Sequence, residues 1–104
     1  VKRRHVVLLP EAQTDLLWIY DTVAHASGNL TALRYIERIE RFCLGLDYAS
    51  ERGTLRDDVR PGLRIVGFER RLTVAFTVEG DQVVILRLFY GGVNWEDELA
   101  PIAP

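Results

Sequence analysis

Few residues in this 104-residue chain carry side chains that can do chemistry, and they are scattered. The single cysteine, Cys43, falls inside the apolar stripe of a predicted helix, where it reads as a small buried hydrophobe rather than a nucleophile. His5 stands alone on a predicted first strand. His25 stands alone near the end of the first helix, at the negative end of the helix dipole. One cysteine and two distant histidines cannot make a zinc set, so neither a metal nor a cofactor is expected. The run Glu96-Asp97-Glu98 reads as solvated surface, because a working carboxylate pair needs a pocket around it. What remains is Arg64, Arg71 and Arg87 on adjacent predicted strands, with Tyr90 ending the last. Such cations can hold an anionic group and the charge that develops on it. A phenol can move a hydroxyl proton. The plainer reading is that Arg64 and Arg71 are structural and pair with Glu69, Asp57 or Asp58.

The strands that carry these residues centre on Leu72 to Gly92. Leu72, Val74, Phe76 and Val78 alternate with Thr73, Ala75 and Thr77, the period of a strand with one buried face. Glu79 to Gln82 makes a turn, in which Gly80 supplies the positive φ of a primed hairpin. Val83 to Tyr90 returns, rich in β-branched and aromatic residues. A two-residue Gly80-Asp81 loop sets Val78 opposite Val83 and Phe76 opposite Ile85. An isolated hairpin is marginal in water, so another element must cover its apolar face.

Two predicted helices supply the cover. Arg4 to Leu9 is a first strand, ended by Pro10, which suits the first turn of a helix. Helix one runs from about Glu11 to Ala26 with Ala12, Leu16, Ile19 and Val23 as its apolar face. Asn29 is the expected N-cap of helix two, which runs from about Leu30 to Ala49. Its stripe is Ala32, Tyr35, Ile36, Ile39, Phe42, Cys43 and Leu46. So short a break implies an antiparallel helical hairpin. Ser50 to Gly62 reads as loop and Leu63 to Phe68 as a strand. Trp95 to Ala100 is at most one helical turn, with Pro101 and Pro104 preventing more. The order is β-α-α-β-β-β, an α+β single domain over residues 1–104. The helical hairpin packs on one face of a small antiparallel sheet. The other face keeps Ala75, Val84, Leu86 and Leu88, and a half-apolar open face usually has a partner. Trp18 and Trp95 read first as packing, and both are also candidates for partner contact.

Composition narrows the function classes. Apolar residues make up 48% and charged residues 27%, as in ordinary globular proteins. No apolar run approaches a membrane span, and Val6 to Leu9 is too short for a signal-peptide core. One cysteine fits a reducing cytoplasm. The formal charge is −2: residues 52–92 carry seven arginines against five acids, while residues 93–104 carry three acids and no base. That mild excess is far from a dedicated nucleic-acid binder.

Several short motifs resemble the ParE/RelE toxin superfamily of bacterial toxin–antitoxin systems. They are Pro10-x-Ala12-x-x-Asp15-Leu16-x-x-Ile19, Ala32-x-x-Tyr35-Ile36-x-x-Ile39, Val59-Arg60-Pro61-Gly62-Leu63-Arg64 and Val83-x-Ile85-Leu86-Arg87-Leu88-x-Tyr90-Gly91. Their order and spacing cover nearly the whole chain and are most similar to the ParE branch. The resemblance implies a small cytoplasmic toxin that blocks DNA gyrase by binding it, without catalysis. A ParD-like antitoxin would neutralise it by wrapping along the helical hairpin and sheet. In the RelE branch, the resemblance instead implies a toxin that cuts messenger RNA on the ribosome, with Arg64, Arg71, Arg87 and Tyr90 as the site. Against that branch, its lysine-rich set is missing, the only lysine being Lys2. The last strand also ends Tyr90-Gly91-Gly92-Val93-Asn94, where a His and an Asp are common. A third class is an inactive relic that binds only an antitoxin-like partner.

Overall fold

The computed structural model describes residues 3–99. The elements are β1 (His5–Leu8), α1 (Pro10–Ser27), α2 (Asn29–Leu44), a 3-10 turn (Gly45–Asp47), β2 (Thr54–Leu55), β3 (Arg64–Phe68), β4 (Leu72–Glu79), β5 (Gln82–Tyr90) and α3 (Trp95–Leu99). Lys2 and the residues from Ala100 to Pro104, to which some expectations refer, lie outside the described residues. Among the described residues no helix is long and apolar enough to cross a membrane.

Two helices packed on one face of a five-stranded sheet make the expected α+β architecture, with strand order β1-β5-β4-β3-β2. Two details differ from the sequence expectation. The sheet is mixed rather than wholly antiparallel, because β1 runs parallel to β5, with Val6 opposite Val83 and Leu8 opposite Ile85. The helical hairpin serves as the long crossover that a parallel pair requires. In addition, the loop from Ser50 to Gly62 contains the short edge strand β2, which pairs Thr54 with Ile65 and Leu55 with Arg64.

Each helix begins for a local reason. Pro10 occupies the first turn of α1, where its missing N–H costs nothing. Gly28, at φ 93°, ends α1 and starts α2 at once, its N–H donating to Ala24 O at 2.8 Å. Asn29 is therefore the first residue of α2 and not its cap. Gly28 takes the cap because the reversal demands a backbone conformation that an asparagine adopts less easily. The stripes bury as patterned: Ala12, Ile19 and Val23 from α1, and Ala32, Tyr35, Ile39 and Cys43 from α2, with Leu46 just beyond. They pack on Leu72, Val74, Phe76, Val83, Ile85 and Leu88 of the sheet. The β4–β5 hairpin has the expected register, Val78 opposite Val83 and Phe76 opposite Ile85, around Gly80 at φ 63°.

Past Ile85 the register shifts. Ala75 pairs with Arg87 and Val74 with Leu88, so Leu86 is an extra residue in β5. A bulge of this kind reverses the facing of every later residue. Leu88 and Tyr90 turn to the helix side, while Phe89 joins Leu63, Ala75 and Leu99 in a second cluster on the opposite face. The placement of Leu88 on the open face is thereby corrected, because strict alternation cannot anticipate an inserted residue.

The bulge sits where β1 leaves the sheet. Leu9 N–H donates to Ile85 O at 3.0 Å, and the chain then turns into α1. Beyond that point β5 has no strand on its β1 side. Asp15 of α1 takes over: its Oδ2 accepts the Leu88 N–H at 2.9 Å. The same carboxylate accepts Arg87 Nε at 2.7 Å on Oδ2 and an Arg87 terminal nitrogen at 3.0 Å on Oδ1. A buried N–H left unpaired is costly, and a bidentate carboxylate–guanidinium pair has one geometry, so α1 is held at one height on β5.

Two predictions follow from this packing. Asp15→Ala should cost about 2 kcal/mol, because it strands the Leu88 N–H and a half-buried guanidinium together. A urea-unfolding cycle with Arg87→Leu should give a coupling of about 1 kcal/mol, and additive losses would contradict a shared clasp. Cys43 is buried in the helix–sheet core and burial pushes its thiol up to about 12. At pH 8 that leaves roughly one thiol in ten thousand ionised, so a thiol reagent should react with it only along the unfolding transition.

Candidate functional site

The four residues able to handle a phosphate do not surround one point. Arg64 opens β3 opposite Phe76, on the helix side of the sheet, and its guanidinium reaches the Arg52 carbonyl at 3.3 Å. Arg87 is committed to Asp15, with Glu98 at 3.8 Å on its other flank and Phe89 beneath it at 4.9 Å. Its hydrogen bonds to Asp15 hold the guanidinium even more firmly protonated than usual. Arg71 lies exposed just before β4, at the end of the sheet where Leu72 pairs with Tyr90. Along β4, Arg64 and Arg71 are separated by five residues of strand, about 17 Å. Arg71 and Tyr90 share a corner, joined through the Gly91 N–H to Arg71 O at 2.8 Å, and Arg87 borders a groove with Tyr90 on the free edge of β5.

The expected partners of the arginines also differ. Glu69 pairs with Arg38 of α2, at 2.8 and 3.0 Å, and not with Arg64 or Arg71. Hydrogen bonds from Arg38 hold the Glu69 carboxyl below its ordinary range. Asp58 pairs with Arg56, and Asp57 accepts the Gly62 N–H at 2.7 Å. Tyr90 packs edge-on against Trp18 at 6.4 Å and against Tyr35 at 5.9 Å. Burial, then the neighbouring Tyr90 and Glu69, push the Tyr35 hydroxyl up to about 12, which makes it a poor proton acceptor or donor for catalysis. His5 and His25 are both exposed, on β1 and near the end of α1. Among the described residues no group of three potential ligands could hold a metal.

The candidate contact residues divide sharply. Trp18 is 55% exposed on α1. It borders a groove of about 410 Å³ with Asp21, Thr22, His25 and Ala26. It also borders one of about 320 Å³ along the free edge of β5, with Asp15, Arg87, Tyr90 and Val93. Val84 and Leu86 are part-exposed on the second face. Ala75 and Leu88 have no accessible surface to offer: Ala75 lies under α3 and Leu88 under α1. The second face is thus not bare, because α3 covers its centre. Trp95 packs into the same cluster, with the Arg56 guanidinium 5.1 Å over its ring.

The larger apolar surface lies on the outside of the helical hairpin. Leu17 is 69% exposed and Leu30 60%, and Leu33 and Leu44 are also exposed. Between the helices, Leu16, Leu17, Tyr20 and Ile36 line a groove of about 380 Å³ with Gln13 and Glu40 at its rim. The exposed leucines escape a search for buried stripes. Their signal is that they fall outside both stripes, on faces otherwise occupied by Arg34, Glu37 and Arg41.

The comparisons with known proteins agree with this architecture. A family model described as "ParE toxin of type II toxin-antitoxin system, parDE" matches residues 6–95. No curated protein matches the chain. Among solved structures, the chain is similar to one described as "Chromosomal ParDE TA system from P. aeruginosa", with 27% sequence identity and a TM-score of 0.75. The likeness covers 86% of this chain and 97% of that one. The family match runs from β1 through the helical hairpin and the whole sheet to the first residue of α3, and the chain belongs to the ParE toxin family of type II toxin–antitoxin systems.

Proposed function

We propose that this ParE-type toxin acts by contact, binding DNA gyrase and stalling it, and that a ParD-like antitoxin neutralises it in the cytoplasm. The observation that carries the reading is a contrast. Arg64 and Arg87 are engaged within the fold and the exposed Arg71 lies apart from Arg64, whereas the helical hairpin presents Leu17, Trp18, Leu30 and Leu33 to solvent. Exposed large apolar side chains grouped on one element mark protein contact. A surface inhibitor needs a shaped, rigid face and no proton-transfer group. Its contact residues stand on two regular helices, the kind of support that holds an interface in place.

The hairpin also suits an amphipathic antitoxin segment. The groove between α1 and α2 offers aliphatic anchors at helical spacing, with Gln13 and Glu40 as its polar rim. A disordered partner loses entropy on docking and must bury a wide apolar strip to offset that loss. The exposed leucines provide such a strip.

The experiment is a paired assay on purified chain. Gyrase supercoiling should be inhibited in proportion to the toxin present, and ribosome-bound mRNA should stay intact. Arg64→Ala and Tyr90→Phe should keep inhibition within about threefold wherever urea unfolding shows them folded, because neither contributes chemistry. Leu33→Asp should weaken antitoxin binding at least tenfold while leaving the fold intact, since the side chain is exposed in the free toxin. Cleaved mRNA, or a large loss of activity in folded Arg64→Ala, would turn the reading to a ribonuclease.

A further inference from the structure

The short helix α3 is a cover over an apolar face, and among the described residues its attachments are all secondary ones. Its foot is Leu99, 3% exposed, seated among Leu63, Ala75 and Phe89, with Trp95 packed beside them. Two arginines hold its acids. Arg56 meets Glu96 at 2.9 Å and Arg87 approaches Glu98 at 3.8 Å. Both arginines already have a partner elsewhere: Asp58 grips Arg56 at 2.8 and 2.9 Å, and Asp15 grips Arg87 at 2.7 and 3.0 Å. Removing α3 therefore strands neither cation. Glu96 and Glu98 are half exposed, so their pairs are weak and screened by salt.

Among the described residues, nothing else fastens the helix firmly. Its five residues are too few to hold helical form alone. Gly91, Gly92, Val93 and Asn94 lead to it through solvent, and Asn94 bonds only forward, to Asp97 at 2.9 Å. The face beneath is formed by other elements, since Ala75 and Phe89 are set by β4 and β5, and Leu63, just before β3, is held by backbone bonds to Arg56 and Arg60. Ile65 and Leu86 widen that face, and Arg56 and Arg87 flank it.

We infer that α3 is a detachable, salt-sensitive cover, and that the face beneath it is a docking surface for an acidic amphipathic segment of a partner protein. The chemistry of the occupant is read from the one in place: an aromatic and an aliphatic residue four apart, with acids between them to meet Arg56 and Arg87. This holds whichever target the toxin has, and its test uses neither gyrase nor antitoxin.

In a Trp18→Phe chain, Trp95 is the only tryptophan and reports on α3. Acrylamide quenching of Trp95 should rise at least twofold between 0.05 and 0.5 M NaCl, with the cooperative urea transition retained. Adding Glu96→Gln and Glu98→Gln should give the high-salt value at both concentrations. A full-length Leu99→Asp chain should bind a fluorescent synthetic peptide with the sequence of residues 91–99 at least tenfold more tightly than wild type. A peptide with Gln and Asn in place of its acids should bind Leu99→Asp several-fold more weakly. Quenching that changes only with global unfolding would overturn the inference. So would an opened Leu99→Asp or Glu96→Gln/Glu98→Gln chain that keeps its sheet and fails to bind the acidic peptide.

Discussion

One carboxylate joins the two halves of this molecule. Where β1 leaves the sheet, β5 continues for five residues with its β1 side unpaired, and Asp15 accepts the N–H that a strand would have taken. The Arg87 guanidinium closes on the same carboxylate. A helix packed on a sheet by apolar contact alone can slide, because hydrophobic attraction has no direction. A bidentate ion pair that also satisfies a backbone donor does not slide. The height of α1 on β5 follows from that clasp, and a second bidentate pair, Arg38 with Glu69, ties α2 to the turn between β3 and β4.

The bulge at Leu86 is its counterpart on the sheet. By adding a residue, it turns Leu88 and Tyr90 toward the helices and sends Phe89 to the opposite face. One strand therefore feeds two apolar clusters. The larger supports the helical hairpin, and the smaller lies under α3. Arg87 stands at the junction, between Asp15 of α1 and Glu98 of α3. A residue that reads as a free cation on a strand is instead a link between three elements, which explains why the dispersed arginines make no phosphate site. Arg56 has a similar double role on the other flank of α3.

Under the proposed contact mechanism, this economy has a use. Chemistry at a phosphate requires several groups converging within hydrogen-bond reach of one atom, in a site that excludes water. Contact requires only that apolar side chains be displayed on a frame rigid enough to keep their spacing. The hairpin displays Leu17, Trp18, Leu30 and Leu33, and the core beneath holds their helices in place. The tertiary structure spends charged groups such as Arg87 and Arg38 on positioning, and leaves large apolar side chains exposed among the charges of its outer helical faces.

The sequence by itself determined the fold class, the helical hairpin, the β4–β5 register from the turn as far as Ile85, and the buried stripes. Each rests on a local period, of 3.6 or of two residues, or on turn chemistry such as Gly80, and local patterns can be read without knowing what lies across the core. Its motifs also carried the resemblance to the toxin superfamily, within which the family match falls. Tertiary structure decided the rest: the parallel pairing of β1, the strand within the 50–62 loop, the reversal of Leu88 and Phe89 at the bulge, and the partners of Asp15, Arg38 and Arg87. They depend on pairings that no local pattern shows, such as Arg38 with Glu69 and Leu88 with Asp15, 31 and 73 residues apart in the chain. Whether an acid beside a helical stripe meets solvent or a stranded N–H is settled only when the sheet is assembled against it.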